Sequence, residues 1–174
     1  PGVGRPADPV PAGGGRPGER LTLTADTEGG WRPGYHGRQW DSSSRRGREQ
    51  LAAMLAAVGN ARPRAAKDVS MAGIVGTTGM LAEACGCGAE LEVEAIVRPS
   101  EALLADWLTC FPGFAVLTAD AGDAARLSAG PARSMACGEL QHRPGVRLRW
   151  PDGDSTPALF AASVSGLGVA RGPQ

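Results

Sequence analysis

The chain has 174 residues, with 18 Lys+Arg balanced by 18 Asp+Glu for a formal net charge of zero at pH 7. That length suits one domain with a substantial core. The neutral balance argues against charge-driven binding to nucleic acid or an anionic membrane, and no apolar run reaches the length of a membrane span.

Residues 1–19, PGVGRPADPVPAGGGRPGE, are Pro- and Gly-rich and carry almost no large apolar group. Such a segment is expected to be a disordered linker, because it buries too little surface to offset its ordering entropy. It also lacks the apolar core of a signal peptide, so a cytoplasmic location is expected. A first residue other than Met suggests a processed chain or a domain cut from something longer. Leu21–Ala25 alternates Leu and Thr as a half-buried strand does. Residues 26–37 are turn-rich, and Trp40 closes them. Leu51, Met54, Leu55 and Val58 form a helical stripe that predicts an amphipathic helix over 45–58.

At 66–90, AKDVSMAGIVGTTGMLAEACGCGAE predicts a strand end, a sharp turn, a helix over 71–84 and a Gly-rich exit. Gly73, Gly76 and Gly79 recur every three residues, at a cost of roughly 2–3 kcal/mol against Ala. That face must therefore be approached closely by a strand of the same domain, another chain or a ligand backbone. Strands are expected at 90–93, 114–119, 134–140, 146–150 and 159–164. Short helices are expected from Ser100 through Leu108 and from Asp120 or Asp123 through Leu127. Residues 166–174 read as a flexible tail. Strands alternating with helices predict an α/β fold with a helix-covered sheet.

Chemistry-bearing residues gather in two places. Lys67, Asp68, Ser70 and Gly73 surround a helix start, where backbone N–H groups favour phosphate or carboxylate oxygens and the glycine admits a ligand. Asp68 could hold a Mg²⁺ ion bridging phosphates or align a nucleophile; alternatively Asp68 or Ser70 merely caps the helix. Trp40, Asp41 and Ser42 form the second group, in which Trp40 could stack on a flat ligand while Asp41 and the hydroxyls bind it. The other reading is a buried Trp followed by a capped helix. Arg32, Arg38, Arg45, Arg46 and Arg48 form a basic patch that could meet phosphates or be a solvated face. His36 and His142 read as surface residues. Cys85, Cys87, Cys110 and Cys137 lack the paired spacing of a zinc site and read as buried or part-buried thiols. No Walker A, Rossmann or G-x-S-x-G fingerprint occurs.

Asp68-Val69-Ser70-Met71-Ala72-Gly73, followed by an apolar helix and by Gly86-Cys87-Gly88-Ala89-Glu90-Leu91, resembles the C-terminal domain of the aminoimidazole ribonucleotide (AIR) synthetase superfamily. Trp40-Asp41-Ser42-Ser43-Ser44, Lys67–Thr77 and Trp107–Phe114 are similar to the pattern of an AIR synthetase-related subgroup of unassigned reaction. The resemblance covers residues 20–165 and implies a PurM-like α-β-α sandwich with a mixed sheet. It further implies an ATP- and Mg-dependent enzyme that phosphorylates an oxygen of a small molecule. Its nucleotide ligands would lie mostly in an absent N-terminal domain, whose pairing makes a dimer. Asp68 would be catalytic and metal-binding, with Lys67, Ser70, Gly73, Trp40, Asp41 and Ser42 on the ligand. Met71 stands where thiamine-monophosphate kinase carries a second acid. The alternative implied by the resemblance is a non-catalytic assembly module partnering an acetyltransferase-like or nitrilase-type enzyme.

Overall fold

The computed structural model describes residues 9–34, 38–121, 127, 129–160 and 163–167. In chain order the elements are β1 (Arg20–Ala25), β2 (Gly30–Trp31), β3 (Gln39–Asp41), α1 (Arg48–Ala61), β4 (Ala65–Asp68), α2 (Gly73–Ala84) and β5 (Gly88–Glu92). They continue with α3 (Leu104–Thr109), β6 (Phe111–Pro112), β7 (Ala115–Asp120), β8 (Arg133–Gln141), β9 (Gly145–Arg149) and β10 (Ser155–Leu159). Single 3-10 turns occupy Ser43–Arg45 and Val93–Ala95.

Seven strands form one sheet in the order β10-β9-β5-β8-β1-β7-β4, and β2-β3-β6 form a small second sheet. The large sheet is mixed: β5 and β9 run parallel, while β1 runs antiparallel to both β7 and β8. On one face Leu21, Leu23 and Ala25 of β1 and Leu117 of β7 join Ile74 and Leu81 of α2 and Trp107 of α3 in the main core. On the other, Val116 of β7 packs with Ala57, Val58 and Ala61 of α1 and with Leu127 and Ala129. Helices therefore cover both faces of a mixed sheet. Among the described residues no helix is long and apolar enough to cross a membrane.

Several boundaries differ from the sequence expectation for identifiable reasons. The Leu/Thr alternation of β1 suggested a half-buried strand, yet Thr22 and Thr24 are buried as well. Thr24 is satisfied on that second face by a 2.7 Å hydrogen bond with the Ser134 hydroxyl. The first helix begins at Arg48 because Ser43–Arg45 turn separately, and its buried positions are Met54 and Ala57 while Leu55 stays 77% exposed. The apolar stripe is thus rotated toward Val116 and Phe114. Helix α3 starts at Leu104, after a turn through Ser100, and the last strand ends at Leu159, where a strand from 159 to 164 was expected. Pro157 is tolerated in β10 because that strand lies on the sheet edge. His36 and the helix expected near residue 123 fall outside the described residues.

The described part of the expected linker, residues 9–19, is docked. The Ala66 amide donates to the Pro11 carbonyl at 3.0 Å, the Gly18 amide to the Leu140 carbonyl at 2.7 Å, and the Leu140 amide to the Glu19 carbonyl at 2.8 Å. Glu19 also pairs with Arg64. Backbone hydrogen bonds, together with buried Gly13 and Gly15, replace the apolar side chains that composition showed to be missing.

Arg46, expected in a basic surface patch, instead forms a bidentate pair with fully buried Asp26, at 2.7 Å through Nε and 2.6 Å through the second nitrogen. That hydrogen bonding raises the guanidinium pKa further above its already high value. Removing one partner of a buried pair leaves an uncompensated charge. Arg46→Ala is expected to lose about 3–5 kcal/mol of stability in urea unfolding; an unchanged midpoint would refute this role.

Candidate functional site

The site is built at the open end of β4. In this outer strand Asp68 sits opposite Val116, and the Val69 amide donates to the Ala115 carbonyl at 2.9 Å. The chain then turns, with the Gly73 amide donating to the Ser70 carbonyl at 2.9 Å. No side chain caps α2, so neither Asp68 nor Ser70 serves as the cap that sequence allowed. Met71 at the tip is 78% exposed.

Gly73 has φ +66, in the left-handed region, and a Cβ there would lie 2.7 Å from the Leu108 carbonyl oxygen and from Thr109 Cα. Its missing side chain thus admits the C-terminal backbone of α3, not a ligand. A Cβ on Gly79 would meet Leu159 at 2.7 Å and Val164 at 2.9 Å. The glycine face of α2 is therefore approached by its own domain at both ends.

Asp68 and Lys67 are adjacent in a strand, so their side chains leave opposite faces of the sheet. Asp68 is exposed, has no hydrogen-bond or ion-pair partner among the described residues, and borders a cleft of ≈ 270 Å³. Leu55 and Val58 of α1 form one wall, and Phe111, Gly113 and Phe114 form another. Lys67 is half-buried on the other side and does not border this cleft.

The Trp40 segment meets the Phe111–Phe114 loop by strand pairing and does not itself line the cleft. Trp40 lies opposite Pro112 in the parallel β3–β6 pair, and a Cβ on Gly113 would meet the Ser42 amide nitrogen and hydroxyl at 2.8 Å. Three stretches distant in sequence thus converge: Trp40–Ser42, Asp68–Gly73 and Phe111–Phe114. Trp40 itself is fully buried, edge-on to Trp31 at 5.2 Å and to Trp107 at 6.0 Å, and its indole N–H donates to the Glu28 carbonyl at 3.3 Å. The ring surface expected to stack on a ligand is occupied by protein. Asp41 accepts from the Ser44 hydroxyl at 2.7 Å and from the Ser44 amide at 3.2 Å. The hydroxyl bond first, then the amide, lowers its pKa below the ordinary value. Asp41 therefore holds the 3-10 turn, whereas α1 is preceded by Gly47, whose amide donates to the Gln50 side chain. Ser42 is fully buried and its hydroxyl has no hydrogen-bond partner among the described residues.

Phe111–Phe114 carries no chemical signal of its own in the sequence, since its contribution is position: the strand pairing that brings it to Asp68 is non-local. Among the described residues no cluster of three or more His, Cys, Asp or Glu side chains is placed to hold a metal. Asp68 offers a single carboxylate. That fits Mg²⁺ only in the mode where substrate phosphates and water supply most of the oxygens.

A mixed sheet covered by helices on both faces is the PurM C-terminal-like fold, shared with phosphoribosylformylglycinamidine synthase II of Thermotoga maritima (TM-score 0.65, 15% identity, 85% of this chain and 26% of that one). The family model of the AIR synthase related protein C-terminal domain matches residues 18–151, and the chain belongs to that family. HypE of E. coli, a hydrogenase maturation protein, is similar with a TM-score of 0.58 and 22% identity over 84% of this chain and 50% of that one. Thermotoga maritima PurL complexed with ATP gives a TM-score of 0.63 at 17% identity, over 85% of this chain and 26% of that one. Among curated proteins, an uncharacterized protein of Synechocystis sp. is 47% identical over 53 residues, 30% of this chain and 16% of that protein. One of Methanocaldococcus jannaschii is 34% identical over 85 residues, 46% of this chain and 26% of that protein. The chain thus matches well under half the length of these curated relatives.

The glycine assignment gives a direct test. Gly73→Ala forces a left-handed residue against the α3 backbone and is expected to cost at least about 1–2 kcal/mol in urea unfolding. Gly59→Ala, in α1 with nothing within 4 Å of the added carbon, is the control and is expected to be neutral or stabilising by up to about 1 kcal/mol. Equal effects at the two positions would remove the close-approach argument.

Proposed function

We propose that this domain is the C-terminal part of an AIR synthetase-like, ATP-dependent enzyme that activates an oxygen of a small molecule. It supplies the Asp68–Gly73 turn and one wall of the substrate cleft. The supporting observation is the cleft in which Asp68, without a partner among the described residues, meets the Phe111–Phe114 loop and α1, with the Trp40 segment paired to that loop from outside the cleft. The uncapped start of α2 favours an anion beside it, since its first N–H groups have no side-chain acceptor. The hydroxyl of Ser42, buried without a partner, adds a polar group that a rearrangement around Gly113 would bring to a ligand.

Magnesium ATP, when bound, supplies the phosphoryl group and offsets its developing charge. Asp68 contributes one carboxylate to the ion or aligns the attacking oxygen. Ser70 and Gly73 shape the turn, and Leu55, Val58, Phe111 and Phe114 line the cleft with apolar surface. The ATP-bound Thermotoga PurL structure supports a nucleotide ligand, and the crystallised HypE–HypF complex (TM-score 0.59) supports a role for partner chains. The remaining ligands come from an N-terminal nucleotide-binding domain or a partner chain, and pairing of such domains gives a dimer. A cytoplasmic location follows from that nucleotide chemistry.

The second reading, a non-catalytic module that partners an acetyltransferase-like or nitrilase-type enzyme, is favoured by one feature. Met71, standing in place of a second acid, projects into solvent at the tip of the turn.

Protein-detected NMR of the chain titrated with Mg-ATP separates the two. The enzyme reading expects shifts at residues 69–73 and at Gly113, no hydrolysis by the chain alone, and about tenfold weaker binding in Asp68→Ala, ~1.4 kcal/mol. Absence of shifts at these residues favours the assembly module. Turnover by the isolated chain, or unchanged affinity in Asp68→Ala, overturns the proposed role of the turn.

A further inference from the structure

Glu83 sits in the last turn of α2 and takes no part in the cleft. A carboxylate there faces the negative end of the helix dipole. At 5% exposure it has also lost most of its water. Residues 163–165 offset both costs. The Ser163 hydroxyl donates to Oε1 at 3.1 Å. The Val164 amide at 2.9 Å, the Ser165 amide at 2.7 Å and the Ser165 hydroxyl at 2.9 Å donate to Oε2. Hydrogen bonds to an ionised acceptor are the strong ones.

One turn back on the same face of α2, Gly79 leaves a notch. A Cβ there would lie 2.9 Å from Val164 Cγ2, 2.7 Å from Leu159 Cδ1 and 3.6 Å from Val146 Cγ2. Val164 thus shares the notch with side chains from β9 and β10. Residues 163–167 are otherwise exposed, whereas Val146 beneath them is fully buried. A surface segment fastened at a notch and a carboxylate opens at a lower free energy than the sheet it lies on.

We propose that residues 163–167 form a releasable clasp, latched by Glu83 and keyed by Val164 into the Gly79 notch, that occludes an apolar groove on α2. With the clasp closed, Gly79 and Val146 are sealed and the end of β10 is tied to α2. With it open, Gly79, Val146 and Leu159 are uncovered between α2 and the β9–β10 pair, and Glu83 gains water. The latch depends on the acceptor character of both Glu83 oxygens, since every donor named above points at one or the other. Helix α2 thus carries a device at its C-terminal end that is independent of the Asp68 cleft.

Native-state hydrogen exchange of the intact chain, followed by NMR in low urea, tests the clasp. The Val164 and Ser165 amides are expected to exchange by a local opening that urea leaves unchanged, while exchange at the Leu117 amide of β7 accelerates with urea. In Glu83→Gln, which keeps the side-chain shape and replaces an acceptor by a donor, exchange at Val164 and Ser165 is expected to rise about tenfold with Leu117 unaltered. The Val146 methyl signals of that variant are expected to become broadened by a soluble nitroxide. Gly79→Ala, which crowds the notch and spares the latch, is expected to release the same two amides. The wild-type chain alone can refute the proposal: if Val164 and Ser165 follow Leu117 in urea, no separate clasp exists. Unchanged exchange at these amides in Glu83→Gln overturns the latch, and in Gly79→Ala it overturns the notch. Val146 methyls still shielded once the amides are released overturn occlusion of the groove.

Discussion

One backbone hydrogen bond, from the Val69 amide to the Ala115 carbonyl, ties the β4–α2 corner to the strand that follows the Phe111–Phe114 loop. Once that rung is made, the chain beyond Ser70 has to leave the sheet beside the loop, and Asp68 faces the space between them. The parallel pairing of Trp40 with Pro112 adds the third stretch to the same corner. The cleft is a consequence of register more than of any one side chain. Shifting β4 by one residue would turn Asp68 to the other face of the sheet.

Helix α2 shows how a locally poor sequence is kept helical. Its glycines weaken it by propensity, but Gly73 and Gly79 let α3 on one side and the β9–β10 side chains on the other come into direct contact. Burial of Ile74 and Leu81 then supplies the stabilisation that propensity lacks. The same logic governs the strap at residues 9–19, whose glycines carry no side chain to bury, so the backbone settles against Cys85 and the thiol donates to the Ala12 carbonyl.

Buried polar pairs mark where the two layers meet. Asp26 at the end of β1 and Arg46 before α1 are locked together by charge-assisted bonds, which fixes where the first helix begins relative to the sheet. Trp31, Trp40 and Trp107 are stacked edge-on beneath the small sheet and hold it against α3. These contacts take Arg46 and Trp40 away from the ligand roles that residue type alone allowed. A charge or a ring is available to a ligand only if the fold leaves it without a better partner.

Periodicity and turn chemistry determined most of the strands, α2 and the alternation that gives a helix-covered sheet, because those signals are local. The spaced motifs at Trp40, Asp68 and Trp107 determined the family. Local signals failed where a non-local partner decided the outcome: the docking of residues 9–19, the start of α1 and the burial of Thr22 and Thr24. Asp68 was legible as a candidate because a strand-to-helix turn is a local feature. Its separation from Lys67, the occupation of Trp40 by neighbouring rings and the pairing of Arg46 with Asp26 were decided by tertiary structure alone. Each depends on strand pairing or packing between residues far apart in sequence, which no local pattern encodes.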